Sequence, residues 1–103
     1  SYDFITEWEG IINTIQVRSA SAISKGSAWE AQGKLIESKG GYYRVEVPKV
    51  GGFSILLAHI SPLKETFVIP WNEVDRRWIC IHKDRPSRYE KFKEEWNLLK
   101  ETH

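Results

Sequence analysis

One stretch, FSILLAHI at 53–60, constrains the fold more than any other part of the chain. An apolar run without alternation does not suit a ribbon with one face in water. It reads as a strand buried on both faces, with a neighbour on each side. No apolar run in the 103 residues approaches the ~18 needed for a membrane-spanning helix. A chain of this length can bury one such core, so a single domain over 1–103 is expected. Because the chain starts at Ser1 and contains no methionine, a fragment of a larger protein is the alternative.

Composition narrows the classes. Cys80 is the only cysteine, which excludes an internal disulfide and a cysteine-based zinc site. It also suits a reducing, cytoplasmic or otherwise intracellular setting. No signal-peptide pattern opens the chain. A net charge of +1 is not the balance of a tight nonspecific DNA binder, although a local basic patch is compatible with it. The five tryptophans are expected mostly in the core, because large aromatics bury the most area per residue.

The remaining segments read as an α+β domain with a mixed or antiparallel sheet. Residues 2–8 and 11–18 form two strands around Glu9-Gly10. Residues 19–27 form a polar loop. Ser27 with Glu30 has capping-box spacing, and Ala28, Ala31 and Leu35 fit one face of a mid-chain helix to about Ser38. Gly33 weakens that helix by about 1 kcal/mol. YYRVEV (42–47) alternates as a strand should, TFVIPW (66–71) is another strand, and WICIH (78–82) is the last. Pro70 marks a strand end or an edge. Ser87 with Glu90 repeats the capping-box spacing. Tyr89, Phe92, Trp96 and Leu99 then predict an amphipathic C-terminal helix.

The opening hairpin holds the candidate site. A two-residue turn at Glu9-Gly10 pairs Trp8 with Ile11, Thr6 with Asn13 and Phe4 with Ile15. Asp3 then lies across from Gln16 on one face, with Arg18 two residues further along it. Cross-strand Cβ atoms are roughly 4.5–5.5 Å apart. That spacing lets a carboxylate and an amide oxygen share one small hard cation, with Arg18 near enough for an anion bound to it. A one-residue slip would separate Asp3 and Gln16 to opposite faces. The plainer reading is the solvated face of an amphipathic hairpin.

An Asp at the start of a hairpin, followed by the strand IQVRSA, resembles the PD-(D/E)XK nuclease superfamily. The resemblance is to the branch with Gln in the middle position, seen in some homing-type endonucleases, and covers roughly residues 2–75. It implies a restriction-endonuclease-like core and hydrolysis of DNA phosphodiester bonds with Mg²⁺ or Mn²⁺. By resemblance, Asp3, Gln16 and the Val17 carbonyl are metal ligands, and Arg18 takes the lysine position. Arginine binds phosphate well but is not deprotonated in practice, so it can serve charge and not proton transfer. The helix and Glu that usually precede the Asp strand are absent. A homodimer, or a partner chain supplying that helix, is the corresponding expectation, with DNA as ligand and no membrane.

Other residues offer weaker candidates. Lys25, Lys34 and Lys39 flank the site and are candidates for phosphate contact, or ordinary solvated lysines. Glu7 and Glu9 read as surface. His59, His82 and His103 show no metal spacing, and His59 reads as a hydrogen-bonded core histidine. Ser24-Lys25-Gly26-Ser27 lacks the glycines of a P-loop. The mixed charges of 75–91 read as a solvated face. Tyr42, Tyr43, Phe53, Trp71 and Trp78 read as core rather than a base-stacking platform. Two functional alternatives stand beside the nuclease. One is a catalytically inactive module of the same fold that binds nucleic acid or protein. The other is a small β-rich single-strand-binding domain.

Overall fold

The computed structural model describes residues 2–20, 23–24, 28–31, 34–37, 42–49, 51–82 and 86–103. Their strands in chain order are β1 (Phe4–Trp8), β2 (Ile11–Ala20), β3 (Ile23–Ser24), β4 (Ala28–Ala31), β5 (Lys34–Glu37), β6 (Tyr42–Glu46), β7 (Ile55–Ile60), β8 (Glu65–Pro70) and β9 (Trp78–His82). A four-stranded sheet has the order β1-β2-β7-β8, and a three-stranded sheet the order β3-β6-β9. The first is mixed: β2 and β7 run parallel, while β1 and β8 are antiparallel to their neighbours.

The turn sets the register of the first hairpin. Glu9 and Gly10 both have positive φ, 46° and 86°. That is the type I′ combination, whose twist matches paired strands. The Gly10 N–H donates to Glu7 Oε1 at 2.7 Å, so Glu7 closes the turn. Trp8 pairs with Ile11, Thr6 with Asn13 and Phe4 with Ile15, as the two-residue count requires.

The apolar run becomes β7, in the centre of its sheet, with five of its six residues buried. Alternation sends its side chains into two cores. Leu56, Ala58 and Ile60 join Phe67 and Ile69 of β8 and meet Tyr43, Val45, Ile79 and Ile81 of the smaller sheet. On the other face Ile55 and Leu57 join Ile15 and Val68, against Leu98 and Leu99. A polar joint lies beside this second core. Asn13 is 1% exposed. Its Nδ2 donates to the Leu99 and Glu101 carbonyls, at 3.2 and 2.9 Å, and its Oδ1 accepts from Ser54 Oγ at 2.8 Å.

Both expected helices are corrected, and with them the α+β class: the described residues are largely strand, and their helical turns are short 3-10 segments. In place of the mid-chain helix, β4 and β5 pair antiparallel, with Trp29 opposite Ile36 and Glu30 opposite Leu35. A helix of this length is marginal without tertiary packing, and Gly33 weakens it further. The same glycine falls between the two strands in sequence, where hairpin connections favour it.

The C-terminal helix is replaced by a strap. Tyr89 and Phe92 do enter the core, but Lys93 forms an antiparallel bridge with Phe67. The Glu94 N–H donates to the Thr66 carbonyl, and the Thr66 N–H donates to Glu94 Oε1, each at 2.8 Å. Glu94 adopts φ 54° to do so, which no α-helix accommodates. The helical periodicity loses because β8 is an edge strand whose backbone groups need partners.

The tryptophans depart from expectation too. Trp8 and Trp96 are 46% and 43% exposed, and Trp71 and Trp78 are half-buried. The described core is aliphatic, with Tyr and Phe, and these four indoles sit outside it or at its rim. No helix among the described residues is long and apolar enough to cross a membrane.

Two predictions follow from the joint and the strap. Asn13→Ala leaves two carbonyls and the Ser54 hydroxyl without this partner and should cost about 1–3 kcal/mol in urea unfolding, with an unchanged slope. Glu94 is held below the usual carboxylate range, first by the Thr66 N–H and then by the Trp96 indole N–H. Its folded value being depressed, the stabilisation is complete above the ordinary carboxylate range and lost as pH falls through the lowered value. The Trp96 indole proton resonance should therefore titrate with a midpoint below that of an unperturbed glutamate.

Candidate functional site

The site lies where β1 begins and β2 is halfway through. Asp3 precedes β1, and its N–H donates to the Ile15 carbonyl at 2.7 Å although Phe4 is the residue paired with Ile15, so Asp3 sits one residue out of the regular register. The Asp3 side chain therefore meets β2 beside Gln16. Asp3 Oδ2 accepts from Gln16 Nε2 at 3.2 Å and from the Val17 N–H at 2.8 Å. Gln16 is buried, while Asp3 remains exposed. The alternation of β2 places Thr14, Gln16, Arg18 and Ala20 on the face toward the smaller sheet. Arg18 is half-buried there, and its Nη1 donates to the Val17 carbonyl at 3.0 Å.

Asp3, Gln16 and Arg18 are thus brought together, with Val17 supplying both an N–H to the carboxylate and a carbonyl to the guanidinium. Asp3 Oδ1 and Gln16 Oε1 accept no hydrogen bond among the described residues. A carboxylate oxygen, an amide oxygen and a carbonyl with a second lone pair form a hard donor set. It matches the protein share of a Mg²⁺ site, where one or two carboxylates are completed by water and phosphate. Among the described residues no group of three or more His, Cys, Asp or Glu could hold a metal, so a richly carboxylated cage is not what these residues offer.

The other sequence candidates fall elsewhere. Lys25 and Lys39 lie outside the described residues. Lys34 opens β5, and only its backbone is described. Glu7 is committed to the turn, and Glu9 forms it. His59 Nδ1 is 2.9 Å from Thr66 Oγ1, a half-buried hydrogen-bonded histidine. Tyr43 and Phe53 are core, but Tyr42, Trp71 and Trp78 are not.

Sequence reasoning passed over Arg44, which lies over the Trp78 ring at 4.1 Å from its centroid. The signal was the alternation of YYRVEV, which puts Arg44 on the face opposite Tyr43 and Val45. Ahead of β9 in the chain, Asp75 is exposed and accepts from Arg88 Nη2 at 2.7 Å, and this guanidinium lowers its carboxyl below the usual range.

No protein-family model matches the sequence, and no curated protein does. The structure is similar to that of a bacterial homing endonuclease, I-Ssp6803I, with a TM-score of 0.65. The match covers 96% of this chain and 67% of that one, at 24% sequence identity. At this identity the likeness is one of fold.

Asp3→Ala should leave the protein folded. Asp3 is exposed and makes two hydrogen bonds, so the loss should be about 1 kcal/mol. The Val17 amide should exchange with solvent faster in the variant, while the Ile55 and Leu57 amides keep their protection. Uniform loss of protection would mean that Asp3 is a pillar of the fold instead.

Proposed function

We propose that this chain is a Mg²⁺-dependent endonuclease domain of PD-(D/E)XK type that hydrolyses DNA phosphodiester bonds. The single observation carrying the reading is the contact of Asp3 with buried Gln16 on the face that also bears Arg18. The fold shared with a homing endonuclease supports it. Asp3, Gln16 and the Val17 carbonyl would hold the ion. When bound, Mg²⁺ polarises the scissile phosphate and lowers the pKa of the attacking water.

The chain's own residues do the rest. The Val17 N–H fixes one carboxylate oxygen of Asp3, which leaves the other to face the ion. Burial of Gln16 holds its amide in place. Arg18 brings a permanent positive charge, and moving from the Val17 carbonyl to the phosphate frees that carbonyl oxygen. Arg18 does not take the proton of the attacking water, since a guanidinium stays protonated. The proton passes to solvent or to the phosphate itself.

One observation favours a second reading, a module that binds DNA without cutting it. The Arg18 guanidinium already rests on the Val17 carbonyl, a cation at an oxygen the metal would use.

Incubation with supercoiled plasmid and Mg²⁺ separates the two. The nuclease reading expects nicking that EDTA abolishes and that falls at least a hundredfold in Asp3→Ala. Arg18→Lys should cleave with a steeper rise toward alkaline pH, because lysine can lose its proton. Salt-sensitive retention of DNA with no nicking by either protein would establish the binding module in its place.

A further inference from the structure

We infer that the outer face of the β6–β9 ribbon is a binding surface for single-stranded nucleic acid. The register sets Tyr42 opposite His82, Arg44 opposite Cys80 and Glu46 opposite Trp78. The alternate residues Tyr43, Val45, Ile79 and Ile81 fill the core, so the first set faces away from the larger sheet. That face is aromatic and cationic. The Tyr42 and His82 rings lie 5.9 Å apart, and the Arg44 guanidinium carbon sits over Trp78, 4.1 Å from the ring centroid.

A groove of about 560 Å³ continues this face. Trp78, Cys80, Arg76, Arg77 and Arg88 line it, with Tyr89 at its wall. Arg76, Arg77 and Arg88 are exposed. Three acids oppose the four arginines: Glu46 on the ribbon, Asp75 beside the groove and Glu73, whose charge reaches Arg88. Asp75 is already engaged by Arg88 at 2.7 Å and approached by Arg76 at 3.9 Å. The surplus is positive, as an anionic strand requires. The Tyr89 side chain is buried, yet its hydroxyl has no hydrogen-bond partner among the described residues. A buried hydroxyl without a partner is costly, and it stands beside a groove lined by guanidinium groups.

The ring faces decide between nucleic acids. Stacking on an indole or on a guanidinium plane needs unstacked bases, which a single strand offers and a duplex hides. Arg44 held over Trp78 presents such a plane, and the arginines of the groove meet the phosphates.

This surface lies on a different face from Asp3, and its test does not depend on cleavage. A fluorescein-labelled dT20 is titrated with the full chain in EDTA, watching anisotropy and tryptophan fluorescence. Binding should quench tryptophan and weaken with salt, with a logarithmic slope of roughly −2 if about three phosphates are neutralised. Trp78→Ala should weaken it about ten- to a hundredfold. Arg44→Glu with Arg88→Glu, two changes at the surface that spare the core, should do at least as much. Asp3→Ala should leave it unchanged. The inference is overturned if the arginine pair binds dT20 like the parent chain, if a duplex of equal length binds as tightly, or if Asp3→Ala abolishes binding.

Discussion

The register of β2 is the constraint on which the rest depends. Its outer partner fixes it through the turn, where Glu9 and Gly10 both take positive φ. Its inner partner fixes it through Ser54, whose N–H donates to the Thr14 carbonyl and whose Oγ accepts from the Thr14 N–H. A slip by one residue would turn Ile15 out of its core toward the smaller sheet and drive Arg18 into the place Ile15 left, and it would turn Asn13 away from Leu99 and Glu101. Core, strap and candidate site would fail together. Because strand geometry repeats every two residues, the same register that seats Ile15 in one core delivers Gln16 to the opposite face beside Asp3.

Some parts of this were legible in the sequence. FSILLAHI could only be central, because neither of its faces offers a polar set to water. Counting from the Glu-Gly pair matches the hairpin register from Trp8 to Phe4, while Asp3 departs from the counted pairing in its backbone and meets Gln16 through its side chain. What escaped was decided by long-range partners. The spacing of Tyr89, Phe92, Trp96 and Leu99 suits a helix, and two of those four do reach the core. Nothing local shows that the Thr66 backbone lacks a neighbour, and that unmet need pulls Glu94 into a left-handed conformation. Ala28 to Glu37 misleads for a similar reason. Capping-box spacing and a helical face are both present, yet a short helix containing glycine is marginal on its own, and β4 and β5 pair antiparallel instead.

The tryptophans show the same limit from the side of function. Area alone argues that an indole should be buried, and area was the wrong criterion here. Lys100 lies over Trp8 at 4.4 Å, as Arg44 lies over Trp78 at 4.1 Å. Half-exposed rings at the rim of an aliphatic core recover from a cation about 0.5–1 kcal/mol, a part of what they forgo in burial. On β1 and β2 the result is an apolar, partly covered hairpin with Phe4, Ile5 and Ile12 open to solvent. On β6 and β9 it is a surface that combines positive charge with flat rings.

Arg18 ties the two halves of the site together. A lysine in its place could serve either charge or proton transfer, and the two roles could not be told apart by position. Arginine removes the second role by its chemistry and adds a planar fork. That fork now spends one N–H on the Val17 carbonyl, which is also an oxygen the proposed ion needs. The proposed ion and the guanidinium would therefore be two cations at one carbonyl oxygen until a phosphate arrives to take the guanidinium. On this geometry substrate binding and metal binding favour each other, because each relieves the conflict that the other faces alone. On the proposed nuclease reading, cleavage would then depend less on whether the lysine is missing than on whether DNA draws Arg18 off the carbonyl.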